Sequence, residues 1–166
     1  MSKRYIKEIN KKHAEKGRNI IEKLGKIGEA FKLMALGKQG LEVELEVAFS
    51  NIKNFLGDKY LPYVKEGKKP NELFDVKTEQ GANSRKKLIA LQTDFYTKSL
   101  KFIEITRDMR KVYDELKSMR KQRSKYSEKM FKAYKLDQKK SYRFEFEELK
   151  IYEVEPDIPE GVRVKK

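Results

Sequence analysis

"SRKKLIALQTDFYTKSLKFIEITRDMRKVYDELKSMRKQRSKYSEKMFKAYKL" runs from Ser84 to Leu136, and how it is read decides the fold. It lies inside a longer run, Ala82 to Glu155, that contains neither glycine nor proline. Leu88, Leu91, Phe95, Lys98, Phe102, Ile105, Met109, Val112, Leu116, Met119, Arg123, Tyr126, Met130 and Ala133 fall on alternating three- and four-residue steps. That spacing predicts one long helix with a heptad seam, broken by two bases, Lys98 and Arg123. Ser84 is a suitable cap for its start. A straight helix of this span would be roughly 80 Å long at 1.5 Å per residue, against about 40 Å for a compact domain of this size. Either the helix folds back, or the molecule is long and another helix or chain covers the seam.

Working towards the N-terminus, Ile6, Ile9, His13, Ile20, Leu24, Ile27, Phe31 and Met34 keep helical spacing. They predict a helix over about 4–36. Gly17, Gly25 and Gly28 interrupt it, so either the helix bends or something packs close against it. Gly37 and Gly40 in "LGKQG" read as a stop and a turn. "LEVELEV" (Leu41 to Val47) alternates like a strand. Leu41, Leu45, Phe49, Ile52 and Leu56 continue at helical spacing, and that longer pattern favours a helix over 41–56. Residues 57–81, with Gly57, Pro62, Gly67, Pro70 and Gly81, read as a loop holding one short helix near Asn71 to Val76. Beyond the long helix, "SYRFEFEELKIYEVE" alternates apolar and charged residues, which predicts a strand or extended arm. Pro156, Pro159 and Gly161 then lead into an irregular tail.

The expected architecture is all-α: an elongated helical hairpin or small bundle around one long heptad-patterned helix, with a C-terminal extended or β-like arm. The helical domain covers 1–136 and the arm 137–166.

Composition limits the chemistry. Of the 166 residues, 38% are apolar and 40% charged, and the formal net charge is +14. Such a balance points first to nucleic acid, then to an anionic membrane surface or an acidic protein. The absence of cysteine excludes disulfides, thiolate catalysis and cysteine-based zinc sites. The N-terminal stretch has no apolar core of a secretory signal, and no stretch is apolar enough to span a bilayer. No HExxH, phosphate-binding glycine loop or nucleophile-elbow motif occurs. His13, the only histidine, reads as a residue on an apolar helix face. Glu42, Glu44 and Glu46 read as a solvated acidic face, or one answering a basic neighbour, ahead of a metal or acid–base pair. The expectation is a protein that is not an enzyme and carries no cofactor.

Charge is unevenly spread. Residues 1–40 carry net +7, 41–81 net −2, 82–143 net +12 and 144–166 net −3. Early in the long helix acids accompany the bases, as Glu104 does Arg107 and Asp114 does Lys117. Arg107, Arg110 and Lys111 lie here on outer helix positions. From Leu116 to Leu136 the pairing fails. Lys117, Arg120, Lys121, Arg123, Lys125, Lys129, Lys132 and Lys135 face one acid, Glu128. Like charges four residues apart repel, by a few tenths of a kcal/mol per pair. A helix that tracks phosphates offsets that cost, because each neutralised phosphate releases counterions. Lys139, Lys140 and Arg143 extend the basic stretch. Lys3, Arg4, Lys7, Lys11, Lys12 and Arg18, with Lys16, supply a second one. Arginine adds forked donors suited to phosphate.

Tyr126, Phe131, Tyr134, Tyr142 and Phe144 lie among these charges. They read as core cover, or as rings on which bases of a single strand stack.

The leading functional expectation is a structural protein that binds nucleic acid, DNA or RNA, without sequence preference, to coat, package or scaffold it. Its makeup is similar to that of small basic helical coat proteins of filamentous viruses, an analogy of architecture alone. The alternative is a viral or mobile-element adaptor or inhibitor whose basic surface occupies an acidic or nucleic-acid-binding site on its target. A homo-oligomer or larger assembly is expected, with no integral membrane association, in the cytoplasm, on nucleic acid or within a virion. Alternating acidic and basic blocks favour head-to-tail packing between copies.

Overall fold

A computed structural model describes residues 3–154. The tail expected from Pro156 onward lies outside the described residues. The described chain is mostly helical, with a small three-stranded antiparallel sheet. In order it forms β1 (Lys3–Glu8), α1 (Lys11–Leu56), a 3-10 turn (Gly57–Lys59), α2 (Tyr60–Lys65), α3 (Pro70–Leu73), α4 (Glu79–Tyr134), β2 (Ser141–Glu145) and β3 (Lys150–Val154). Two compact units emerge: residues 3–29 with 113–154, and Ala30–Val112. Both long helices contribute to both units.

Several local expectations are corrected. Residues 3–8 are a strand, where helical spacing suggested a helix from about residue 4. β1 pairs with β3, Tyr5 opposite Tyr152 and Glu8 opposite Lys150. The Ile9 N–H donates to the Leu149 carbonyl at 2.6 Å. Asn10 then starts α1, its side-chain oxygen accepting the Lys12 N–H at 2.9 Å.

Gly37 and Gly40 do not stop the helix. α1 runs through both, and neither has the positive φ of a helix-ending glycine. Such a φ occurs at Gly57, +50°, directly after α1 ends. Residues 57–78 hold two short helices, where one was expected. α4 starts at Glu79, five residues before Ser84. Thr78 caps it by accepting the Gly81 N–H at 3.1 Å. A side chain at Gly81 would overlap the Asp75 carbonyl.

In the first unit α1 and α4 run antiparallel. The Tyr134 hydroxyl accepts the Asn10 N–H at 2.8 Å, and the Tyr126 hydroxyl donates to the His13 carbonyl at 2.5 Å. α4 ends in a Schellman turn: Lys135 takes φ 50°, and the Leu136 N–H reaches the Phe131 carbonyl at 2.9 Å. The sheet order is β1-β3-β2. Ile9, Ala14, Ile20, Met119, Tyr126, Met130 and Ile151 form the buried core, with Tyr142, Phe144 and Phe146 packed against it. Phe146 lies where a side chain at Gly17 would stand.

In the second unit Ile52, Leu56 and Leu88 are buried, and Phe55, Tyr60, Tyr63, Leu73, Phe74, Leu91 and Phe95 pack around them. Its helices are again antiparallel: Lys38 lies over the Phe102 ring at 5.0 Å, and Phe49 meets Phe95 at 6.3 Å.

Candidate nucleic-acid interface

The basic residues expected to bind nucleic acid fall mostly in the first unit, on four elements and the connection after α4. Lys3, Arg4 and Lys7 are on β1, Lys11, Lys12 and Arg18 on α1, and Lys117 to Lys132 on α4. Lys135, Lys139 and Lys140 follow α4, and Arg143 is on β2. Arg107, Arg110 and Lys111 are not brought into this group; they lie in the second unit.

Of the twelve expected bases outside the stretch Lys117 to Lys135, six are engaged. Lys3 pairs with Glu145 at 3.2 Å, and Arg143 pairs with the same carboxylate at 2.7 Å. Arg18 reaches Glu147 at 3.1 Å, and Lys140 reaches Glu153 at 2.9 Å. The Glu153 hydrogen bond, then its charge, hold the Lys140 ammonium above its ordinary pKa. Lys7 donates to the Tyr134 carbonyl at 3.0 Å, neutralising the C-terminal end of α4. Lys111 pairs with Asp108 at 3.0 Å. Arg4, Lys11, Lys12 and Lys139 form no ion pair among the described residues.

From Lys117 to Lys135 the situation reverses. None of the eight bases named there has an acidic partner among the described residues, and all are exposed. At 3.6 residues per turn they spread over three sides of the helix. Lys117, Lys121, Lys132 and Lys135 project away from the core-facing line of Met119, Tyr126 and Met130. Lys125 and Lys129 flank one side, where with Lys16, Ile20, Gln122 and Tyr126 they line a small cleft of about 150 Å³. Arg120 and Arg123 flank the other.

On that other side a larger cleft of about 530 Å³ opens between α1, α4 and β2. Arg123, Lys140 and Arg143 bring charge to it from three separate elements. Ser127, Phe131, Tyr142, Phe144 and Phe146 form much of its wall. Phe144 and Phe146 stack at 6.1 Å, and Tyr142 meets Phe131 edge-on at 5.5 Å. Of the rings that read as core cover or stacking platform, Tyr142 and Phe144 occupy a boundary, packed on the core and half-buried along the cleft, whereas Tyr126 is buried in the core and Tyr134 lies outside the cleft. Arg123, a base on the apolar spacing, is exposed and lines the cleft.

Tyr126 separates the two clefts. Burial, and then the charge of Tyr134, push its hydroxyl up to about 12. It is neutral at physiological pH and serves as a hydrogen-bond donor. His13 Nδ1 lies 3.0 Å from the Tyr134 hydroxyl, against the core. No group of three or more acids and histidines is placed to hold a metal among the described residues. No described helix is long and apolar enough to cross a membrane.

Ser127 and Phe146 were not singled out as site residues from the sequence. Phe146 continues the alternation of Tyr142 and Phe144, so its signal was present. Ser127 had none. No protein-family model, curated protein or solved structure significantly matches the chain.

Proposed function

We propose that this chain binds nucleic acid without sequence preference, in a structural role such as coating, packaging or scaffolding. One observation carries the reading: none of the eight bases from Lys117 to Lys135 has an acidic partner among the described residues, whereas Lys3, Arg18, Lys140 and Arg143 around them are ion-paired. Eight neighbouring cations repel one another, and a folded chain gains nothing internal from keeping them together. A phosphate backbone turns that repulsion into binding through counterion release. The flanking clefts extend the footprint. Lys16, Lys125 and Lys129 add point charges on one side, and Arg123 and Arg143 add forked donors beside aromatic walls on the other. α4 is read as heptad-patterned, since its most buried side chains, Leu88, Leu116, Met119, Tyr126 and Met130, fall on the seam spacing. In this reading the protein acts on nucleic acid in the cytoplasm or inside a packaged particle, and needs no cofactor.

The test is fluorescence anisotropy with duplex DNA, single-stranded DNA and RNA across a salt series. The expected result is a steep linear fall of log K with log salt, alike for unrelated sequences. Reversing charge together at Lys117, Arg120, Lys121 and Lys125 is expected to weaken binding by at least about a hundredfold, with circular dichroism unchanged. Absence of binding at low salt overturns the proposal and assigns the basic surface to an acidic protein partner.

A further inference from the structure

The second unit holds its excess in apolar surface. On α1, Leu33, Leu36, Val43 and Val47 are 55–69% exposed. They lie along one stripe, turned away from the side on which Lys38, Ile52 and Leu56 meet α4. On α4, Ile89, Tyr96, Leu100 and Ile103 are 41–63% exposed. They too form one stripe, turned away from Leu88, Phe95 and Phe102. The two stripes occupy opposite margins of the helix pair. Each spans fifteen residues, fourteen steps or about 21 Å at the helical rise.

Their charges are complementary. From Gln39 to Ile52, α1 has no lysine or arginine and three glutamates. Glu44 and Glu46 border its stripe on either side and form no ion pair among the described residues. The α4 stripe is continued, one turn beyond each end, by Arg85 and Arg107, neither of them in an ion pair among the described residues. Gly40 lies in the middle of the α1 stripe. A glycine in a helix interior costs about 1 kcal/mol against alanine. A side chain at Gly40 would meet nothing within 4 Å among the described residues. Nothing within one copy accounts for a glycine there, whereas a second helix lying close along the stripe does.

We infer that the α1 stripe of one copy docks on the α4 stripe of a second copy of this chain, head to tail. The lengths match, acids meet bases, and Gly40 lets the helix backbones approach. Beside the α4 stripe, Phe49, Val64 and Tyr96 rim an apolar pocket of about 360 Å³ that receives side chains from the incoming α1. Because the two stripes lie at opposite margins, each docked copy still offers one free stripe. Such a heterologous contact continues into a filament or closes into a ring. This inference does not depend on the nucleic-acid reading, since it uses different residues apart from Arg107.

Sedimentation velocity on the full chain, treated with nuclease and examined over a concentration series, tests it. The expected result is growth beyond a dimer with rising concentration. Two variants separate the faces: Leu36→Glu with Val43→Glu, and Leu100→Glu with Ile103→Glu. All four side chains are exposed or solvent-facing within one copy, so circular dichroism should match the parent protein. Each variant alone is expected to lose every species above the monomer. Mixed in equal amounts, they should form a heterodimer and nothing larger, because one intact interface remains. A parent protein that stays monomeric, or a mixture that fails to pair, overturns the inference.

Discussion

The two units handle their surfaces in opposite ways. In the second unit, cations are used internally. Lys38, Lys53, Lys59 and Lys87 lie over the rings of Phe102, Tyr60, Phe74 and Phe55, and Lys98 pairs with Asp94. Two apolar stripes, Leu33 to Val47 and Ile89 to Ile103, remain uncovered there. In the first unit a sheet and two helices close over the apolar core, and the eight bases from Lys117 to Lys135 have no acidic partner among the described residues. A basic balance summed over the chain hides this division. In the proposed readings, the surface of the first unit serves a polyanion and that of the second a further copy of the chain.

The largest effects should come from emptying each core. Leu88 is fully buried in the second unit, and Met130 is 1% exposed in the first. Leu88→Ala and Met130→Ala should each cost about 2–5 kcal/mol in denaturant melts. Hydrogen exchange sharpens the comparison. Leu88→Ala should accelerate amides mainly within 30–112, and Met130→Ala mainly within 3–29 and 113–154. Identical exchange patterns would mean the two units open as one and would break the distinction.

Two glycines give a smaller, opposite pair of effects. Gly17→Ala gains about 1 kcal/mol of helix propensity but drives a methyl into the Phe146 ring, an overpacking cost of about 1–3 kcal/mol, so a net loss of about 1 kcal/mol is expected. Gly40→Ala meets no such neighbour and should stabilise the isolated chain by up to about 1 kcal/mol while weakening self-association. Thermal melts and sedimentation of both variants check the pair. Stabilisation by both would show that the Phe146 contact is loose.

The subtlest test concerns Tyr126. An unfolded tyrosine titrates near about 10, and in the folded chain burial raises this one to about 12. The folded value is the higher one, so the resulting stability is complete below about pH 10 and is lost as pH climbs towards about 12. Tyr126→Phe should remove that part of the alkaline loss. It should also cost about 1 kcal/mol at neutral pH, from the bond to the His13 carbonyl. Denaturant melts of both proteins across this pH range measure the difference.

How much was legible in advance depends on how local the cause is. Helix hydrogen bonds close within four residues, so the run from Leu88 to Met130 announced α4, and the periodic run through Leu24 and Phe31 announced the body of α1. Glycine was misread at 37 and 40, because a single weak residue does not end a helix that its neighbours carry. β1 was misread because its hydrogen bonds come from β3, more than a hundred residues away in sequence, and no periodicity within "KRYIKE" reports them. By itself the sequence determined the helical character, the basic excess and the absence of cysteine chemistry, since composition and short-range periodicity are local properties. Tertiary structure alone decided which cations are spent and which remain. Arg18 finds Glu147 and Lys140 finds Glu153 only because the β2–β3 hairpin packs there, while among the described residues no carboxylate is folded against Lys117 to Lys135. A charge is free or paired according to what the fold places within about 4 Å of it, and the order of residues along the chain does not state that distance.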